Sequence, residues 1–137
     1  MTCTEKPWIL AKMLEMSINS KSGIRKQNAA IVISDISRNS LGRYMVFNFI
    51  RDRLDDLFAV FPGSSFRSIS RILKAVASSL NTEIELKELI GFREVQKSGG
   101  LSGSERAIQQ SIDQAKNNVN WMKQNYQHVL DWLQRVY

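Results

Sequence analysis

The stretch that decides the fold is residues 102–137, SGSERAIQQSIDQAKNNVNWMKQNYQHVLDWLQRVY. Its apolar residues recur at alternating steps of four and three, which places them on one face of an α-helix. Ser102-x-x-Glu105 has the spacing of a capping box, in which a hydroxyl and a carboxylate satisfy free N–H groups at a helix start. We therefore predict one long helix here, with Asn125 as a candidate break. The predicted stripe is Ile108, Ile112, Ala115, Val119, Met122, Tyr126, Val129, Leu133 and Val136.

Five shorter segments precede this helix and show the same periodicity. They are predicted as helices over about 4–18, 24–38, 41–61, 66–80 and 82–97, separated by turn residues such as Pro62-Gly63 and Ser98-Gly99-Gly100. Ser64-Ser65 is the predicted cap of the fourth segment, and Thr82-x-x-Glu85 is a second capping box, which opens the fifth. The predicted core stripes are Ile9, Met13 and Met16 in the first segment, Phe47, Ile50, Leu54, Leu57 and Phe61 in the third, and Phe66, Ile69, Leu73, Val76 and Leu80 in the fourth.

The second segment leaves an alternative open. Its middle, residues 29–33 (AAIVI), is β-branched enough to form a strand. We favour a helix packed on two sides, because no partner segment with period-two alternation is present nearby.

Six helices joined by short loops predict an all-α fold of antiparallel helical hairpins, stacked as a short HEAT/ARM-like solenoid in a single domain over residues 1–137. The strict spacing of the last helix is also typical of a coiled-coil seam. An intermolecular helix pair therefore stands as an alternative for that helix.

Composition excludes several classes of function. The chain has one cysteine, Cys3, and one histidine, His128, so no internal disulfide, cysteine zinc cluster or two-histidine zinc helix can form. No apolar run approaches the roughly 18 residues of a membrane helix, so we expect no direct membrane contact. The net charge of +6 permits an anionic partner without naming one.

An ordered series of short motifs resembles the C-terminal end of the aminopeptidase N family of zinc metalloaminopeptidases (gluzincins). The resemblance covers about residues 8–133, and the order and spacing of the motifs carry it. The motifs are Trp8-Ile-Leu, Ile24-Arg-Lys-Gln27, Gly42 followed by Phe47-Asn-Phe49, Gly63-Ser-Ser-Phe66, Thr82-Glu-x-Glu-Leu86, and Asn118-Val-Asn-Trp121 followed by Trp132-Leu133.

The resemblance implies a fragment of the family's larger C-terminal HEAT-like helical domain, which walls or caps the cavity in which peptides reach the zinc. Such enzymes remove N-terminal residues from peptides, and their metal ligands lie on another stretch of polypeptide. We therefore expect no catalytic, metal or cofactor residue in this chain and no activity of the chain alone, with zinc bound elsewhere in the parent enzyme. The compartment stays open, because family members occur at cell surfaces, in lumens and in the cytosol.

The implied partners are the catalytic and N-terminal domains of the same enzyme, together with the peptide substrate. Cut from a solenoid, the chain would expose an apolar hairpin face, which makes a dimer through that face a further expectation.

Positive charge is concentrated on alternate predicted helices. Residues 21–43 carry a net charge of +4 and residues 63–80 carry +3, whereas the other segments together carry −1. Alternate helices of stacked hairpins line one face, so we hypothesise a positive face that attracts acidic side chains or the C-terminal carboxylate of a peptide. A solvated charge stripe is the plainer interpretation. The peptide-binding candidates are Arg38, Arg43, Arg67, Arg71 and Lys74.

The other conspicuous residues have plainer interpretations. We expect His128 to lie at the surface and Cys3 to be unreactive near a frayed terminus. Asp52, Asp55 and Asp56 are expected to form exposed ion pairs with Arg51 and Arg53. The large aromatic residues are expected in the core or in hairpin contacts: Trp8, Trp121, Trp132, Phe47, Phe49, Phe58 and Phe66.

Two other functional classes compete with the aminopeptidase assignment. One is a free-standing basic helical module that binds an acidic protein or nucleic acid, although no RNA motif or recognition helix supports nucleic acid, and we predict none as a partner. The other is an enzyme that uses only carboxylates, with Asp52, Asp55 or the cluster of Glu83, Glu85 and Glu88 as acid and base. The glutamate cluster is better explained by the favourable position of anions at a helix start.

Overall fold

The computed structural model describes residues 3–61, 65–96 and 104–136. For Ser65 and Phe66 it describes the backbone alone. These residues form seven α-helices and no β-strand, which confirms the all-α class. The solenoid arrangement and the single-domain boundary stay predictions. The helices are α1 (Pro7–Ile18), α2 (Lys26–Ser37), α3 (Gly42–Asp52), α4 (Leu54–Val60), α5 (Ser65–Ser79), α6 (Glu83–Gln96) and α7 (Glu105–Val136).

The prediction of one helix over 41–61 was wrong, because the chain breaks at Arg53 between α3 and α4. The backbone of Arg53 leaves the helical region, with φ −123° and ψ 29°. Its side chain binds Glu15 of α1 at 3.0 Å and also pairs with Asp56 in the first turn of α4. The hydrogen bond that Arg53 donates to Asp56 is the main cause that raises the pKa of Arg53. The sequence around Arg53 contains no glycine or proline, and the apolar spacing continues through Ile50, Leu54 and Leu57. The sequence therefore contains no local signal of a break.

One contiguous hydrophobic cluster contains buried side chains from all seven helices. The predicted stripe of α3 and α4 is confirmed, as are four predicted residues of α5, whereas Phe66 lies outside the described side chains. In α1 the prediction was one residue out of phase, because Leu10, Leu14 and Ser17 are buried and the predicted residues are only half-buried. The confirmed residues are Phe47, Ile50, Leu54, Leu57, Phe61, Ile69, Leu73, Val76 and Leu80.

Helix α5 packs between α2 on one side and α7 on the other. The amide of Asn118 on α7 donates hydrogen bonds to the carbonyl oxygens of Ala77, Ser78 and Leu80 at the end of α5, at 3.1, 3.3 and 2.9 Å. These bonds satisfy carbonyls that have no partner within their own helix. They hold the C-terminal end of α5 against the middle of α7.

Helix α7 is continuous through Asn125, whose amide donates to the Trp121 carbonyl oxygen at 2.9 Å. Its first half is buried through Ile108, Ile112, Ala115 and Val119. No residue from 120 to 136 is buried. The predicted stripe of α7 is therefore core in its first half and exposed in its second.

The two predicted capping boxes have different outcomes. Thr82 and Glu85 form theirs, since the Glu85 amide donates to the Thr82 hydroxyl at 3.3 Å and the Thr82 amide donates to Glu85 at 2.9 Å. Glu105 is the first residue of α7 and not the third, so the box predicted with Ser102 is wrong in register. Ser102 itself lies outside the described residues, as do Ser64 of the predicted cap and the predicted turn residues Pro62-Gly63 and Ser98-Gly99-Gly100.

Candidate functional site: a basic groove

Residues of α2, α5 and α7 line an open groove with a volume of about 990 Å³. Its floor is partly apolar, with Ile31 from α2, Ala75 from α5 and Ala107 from α7. We predicted that α2 packs on two sides along residues 29–33. Ala29, Ala30 and Ile33 are buried, as that prediction requires, whereas Ile31 is exposed to the groove. We call this feature the basic groove because of the charged residues at its edge.

Four of the five predicted cations line the basic groove. Arg38 comes from the end of α2, while Arg67, Arg71 and Lys74 follow one another along one face of α5. Arg106, in the first turn of α7, is a fifth cation in the groove and was not predicted from the sequence. It lies outside the two basic segments, and because the other segments together carry −1, their net charge does not reveal it.

Most of this charge has no counter-charge among the described residues. Arg67, Arg71, Lys74 and Arg106 are exposed and form no ion pair with any residue that the structure describes. Arg38 pairs with Asp35 at 2.7 Å, and Asp35 is the acidic residue among those that line the groove. The groove therefore has a positive edge over an apolar floor.

The start of α7 adds polar groups at one end of the groove. The first N–H groups of a helix lack intrahelical partners and favour anions. Ser104, which precedes α7 and lines the groove, has a buried hydroxyl with no hydrogen-bond partner in the described part of the chain. Chemically, the groove can accept an extended anionic ligand that also has apolar surface.

Arg43 lies away from the basic groove, in a network at the start of α6. Its guanidinium donates to Glu85 Oε1, and its Cζ lies 4.6 Å from the centre of the Tyr44 ring. Glu85 Oε2 accepts hydrogen bonds from the Asn81 amide, the Thr82 amide and the Thr82 hydroxyl, at 3.0, 2.9 and 2.8 Å. Arg43 thus links α3 to α6, and its predicted contact with peptide stays an untested prediction.

Glu85 is almost fully buried, at 4% exposure. Burial is the largest single influence and raises the pKa of this carboxyl. The hydrogen bonds from Asn81 and Thr82, with the charge of Arg43, outweigh burial and lower the pKa below its ordinary value. A carboxylate held ionised by four donors is a structural anion, and it is poorly suited to general acid catalysis.

Most other predicted residues fall where the sequence placed them. The expected ion pairs form at Asp52 and Asp56, whereas Asp55 has none within the described ranges. His128 and Cys3 are exposed, and Arg51 pairs with Asp52 at 3.1 Å on the surface. The expectation that the tryptophans are core or hairpin contacts was wrong. Trp8, Trp121 and Trp132 are 65%, 54% and 60% exposed, whereas Phe47 and Phe49 are buried.

Across the described residues, no group of three or more histidine, cysteine, aspartate or glutamate side chains is placed to hold a metal ion. Among the same residues, no helix combines the length and apolar character that crossing a membrane requires.

Comparison with known proteins shows which family the chain belongs to. A model of the ERAP1-like C-terminal domain family matches residues 1–117. The chain is 36% identical over 132 residues to aminopeptidase Ey of Gallus gallus, which covers 96% of this chain and 13% of that protein. It is 35% identical to aminopeptidase N of Bos taurus and 33% identical to aminopeptidase N of Homo sapiens, each over 132 residues, with 14% and 13% of those proteins covered.

The chain is therefore an all-α protein of the kind found at the C-terminal end of aminopeptidases. It belongs to the ERAP1-like C-terminal domain family, as the resemblance predicted. It spans about one-seventh of the length of the relatives named above.

Proposed function

We propose that this chain acts as a non-catalytic helical part of a zinc-dependent aminopeptidase, and that its basic groove forms part of the wall along which the peptide substrate lies. The zinc and its ligands belong to the catalytic domain of that enzyme. Membership of the family supports the general role, since the matched relatives are aminopeptidases.

The observation that carries the proposal is a set of four exposed cations above a partly apolar floor: Arg67, Arg71, Lys74 and Arg106. None of them has an ionic partner within residues 3–61, 65–96 and 104–136. A solvated charge stripe needs no concave surface, whereas a groove brings charges from separate helices to bear on one ligand. Charged hydrogen bonds between arginine and carboxylate are stronger than neutral ones. A peptide with acidic side chains or a free C-terminal carboxylate supplies the matching anions, and its apolar side chains match the floor.

The test measures binding of the full 137-residue chain to a fluorescent acidic peptide by anisotropy. In the double variant Arg67→Glu/Arg71→Glu, affinity should fall at least about tenfold, because each lost charged contact is worth roughly 1.5–3 kcal/mol. The matched control is Lys87→Glu/Lys116→Glu, which makes the same change in net charge at exposed positions outside the groove.

Three results would count against the proposal. Equal losses in both double variants would mean that net charge alone attracts the peptide. A DNA oligonucleotide that binds the groove as tightly as the peptide, with strong salt dependence, would favour the alternative of a free-standing basic module. Release of N-terminal residues from a peptide by the purified chain would contradict the non-catalytic role.

A further inference from the structure

The start of α7 forms one end of the basic groove, where Ser104, Arg106 and Ala107 line it. The first turn of a helix has backbone N–H groups without partners in that helix. The aligned peptide dipoles also favour negative charge at that point. The side chains around this helix start show that it is equipped to bind an anion.

The hydroxyl of Ser104 is buried and has no partner. Ser104 directly precedes α7 and is 2% exposed, and its Oγ forms no hydrogen bond within the described part of the chain. Ser34 and Ser78 also line the groove, but their hydroxyls donate to carbonyl oxygens of their own helices, each at 2.7 Å. Buried polar groups in proteins are nearly always paired. An unpaired hydroxyl at the end of the groove therefore points to a ligand that would complete its hydrogen bonding.

Arg67 of α5 lies level with the first turn of α7. Asn118 of α7 contacts the end of α5, and no described residue of α7 beyond position 119 is buried. The two packed helices therefore run side by side in the same direction. About twelve residues back along both helices, at the same rise per residue, Arg106 is level with Arg67. Both side chains are exposed and line the groove, so two cations from separate helices flank the start of α7.

The nearby acidic groups leave these cations free. Glu105, the first residue of α7, lines a neighbouring pocket that Arg106 also borders, and it does not line the groove. Asp35 does line the groove, but it pairs with Arg38 at 2.7 Å. Among the described residues, no ion pair forms at Arg67 or Arg106. The positive charge at the start of α7 is therefore available to an external anion.

We infer that the start of α7 is a binding site for a phosphoryl group, carried either by a small phosphorylated molecule or by a phosphorylated side chain of a peptide. Its oxygens accept hydrogen bonds from the Ser104 hydroxyl, the first N–H groups of α7 and the guanidinium groups of Arg67 and Arg106. A phosphoryl group has three acceptor oxygens and a charge of about −1.5 to −2, so it matches this set of donors better than a carboxylate does. The described lining contains no aromatic side chain on which a base could stack, so a nucleic acid is a poorer match.

The test titrates the full, isotopically labelled chain with sodium phosphate at neutral pH and constant ionic strength, and follows the backbone amide resonances. We expect saturable shifts at Glu105, Arg106 and Ala107. Arg106→Gln should weaken binding at least about tenfold, because a charged hydrogen bond is lost, and Ser104→Ala about threefold or more, because a neutral one is lost. Since the Ser104 hydroxyl has no described partner, Ser104→Ala should leave the thermal unfolding midpoint without phosphate unchanged.

The matched control is Arg135→Gln, which makes the same charge change at an exposed position in the last turn of α7, outside the groove. It should bind phosphate as the wild type does. Sodium acetate serves as the second control and should bind much more weakly than phosphate. The absence of saturable shifts, equal binding of acetate, or equal losses in Arg135→Gln and Arg106→Gln would each overturn the inference.

Two further titrations distinguish the source of the phosphoryl group: a short phosphoserine peptide and the same peptide with unmodified serine. Tighter binding of the phosphoserine peptide than of inorganic phosphate would assign the site to phosphorylated peptides. Binding no tighter than that of inorganic phosphate would assign it to small phosphorylated molecules. Equal affinity of the two peptides would overturn the inference.

This site shares Arg67 and Arg106 with the surface proposed to hold the peptide substrate, but a free phosphate occupies it without any peptide. The two proposals therefore fail separately. A chain that binds the unphosphorylated acidic peptide and not phosphate overturns the phosphoryl site alone. A chain that binds phosphate and not the acidic peptide supports the phosphoryl site and contradicts the proposed function.

Discussion

At the residue scale, Glu85 accepts more hydrogen bonds than any other carboxylate among the described residues. It connects the start of α6 to α3. It holds Thr82 and Asn81 at the start of α6, and it binds Arg43 of α3. The sequence predicted the contact between Glu85 and Thr82, since Thr82-x-x-Glu85 has the spacing of a capping box. It could not predict the Arg43 contact, because 42 residues separate the partners and no periodic pattern relates them.

Glu85 should therefore make folding stability depend on pH. Its folded pKa lies below the unfolded value of about 4.3. The stabilisation is complete above that value and is lost as the pH falls through the folded pKa. We expect Glu85→Gln to cost about 1–3 kcal/mol near pH 7 and progressively less below pH of about 4, as urea unfolding at each pH would measure.

The control for this prediction is Glu88→Gln, an exposed position one turn further along α6. It should change stability little at any pH. A constant difference between wild type and Glu85→Gln from neutral to acidic pH would show that ionisation of Glu85 does not matter to folding.

At the scale of elements, periodicity predicted most helices because each buries one face, and it failed where no local signal exists. At the break, Arg53 pairs with Glu15 of α1, a residue distant in sequence. The cap that Asn118 provides for α5 was missed for the same reason. The tryptophans were misplaced because a large apolar side chain indicates packing without indicating whether its partner lies in the same chain.

The contact between α2 and α3 depends on Gly42. A Cβ added at Gly42 would lie 2.2 Å from the carbonyl oxygen of Ile36, so the backbone of one helix would have to move. We expect Gly42→Ala to lower the free energy of unfolding by about 1–3 kcal/mol, measured by thermal or urea denaturation.

Gly91 in α6 is the matched control, because a Cβ there meets nothing within 4 Å. Alanine at that position should be neutral or stabilising by about 0.5–1 kcal/mol, since glycine is the poorer helix former. Equal effects at Gly42 and Gly91 would mean that the α2–α3 approach is not a tight constraint.

At the scale of the whole molecule, the sequence indicated that charge falls on alternate helices, and the structure places four of those cations along one groove. Arg43 lies apart from these four, on the opening turn of the third segment, where it binds Glu85 of α6. Arg106 could not be predicted, because a count of charge over segments does not show which side chains converge in space. The exposed second half of α7 lies apart from the basic groove, since Gln110 is the last residue of α7 that lines the groove.

The most direct test of the account is a titration of the isotopically labelled chain with an acidic peptide, followed through backbone amide resonances. We predict that the amides that shift lie in the second half of α2, along α5 and in the first turns of α7, around Arg38, Arg71 and Arg106. Shifts centred on the mixed-charge surface of Lys12, Glu15 and Arg53, or no shifts at all, would contradict it.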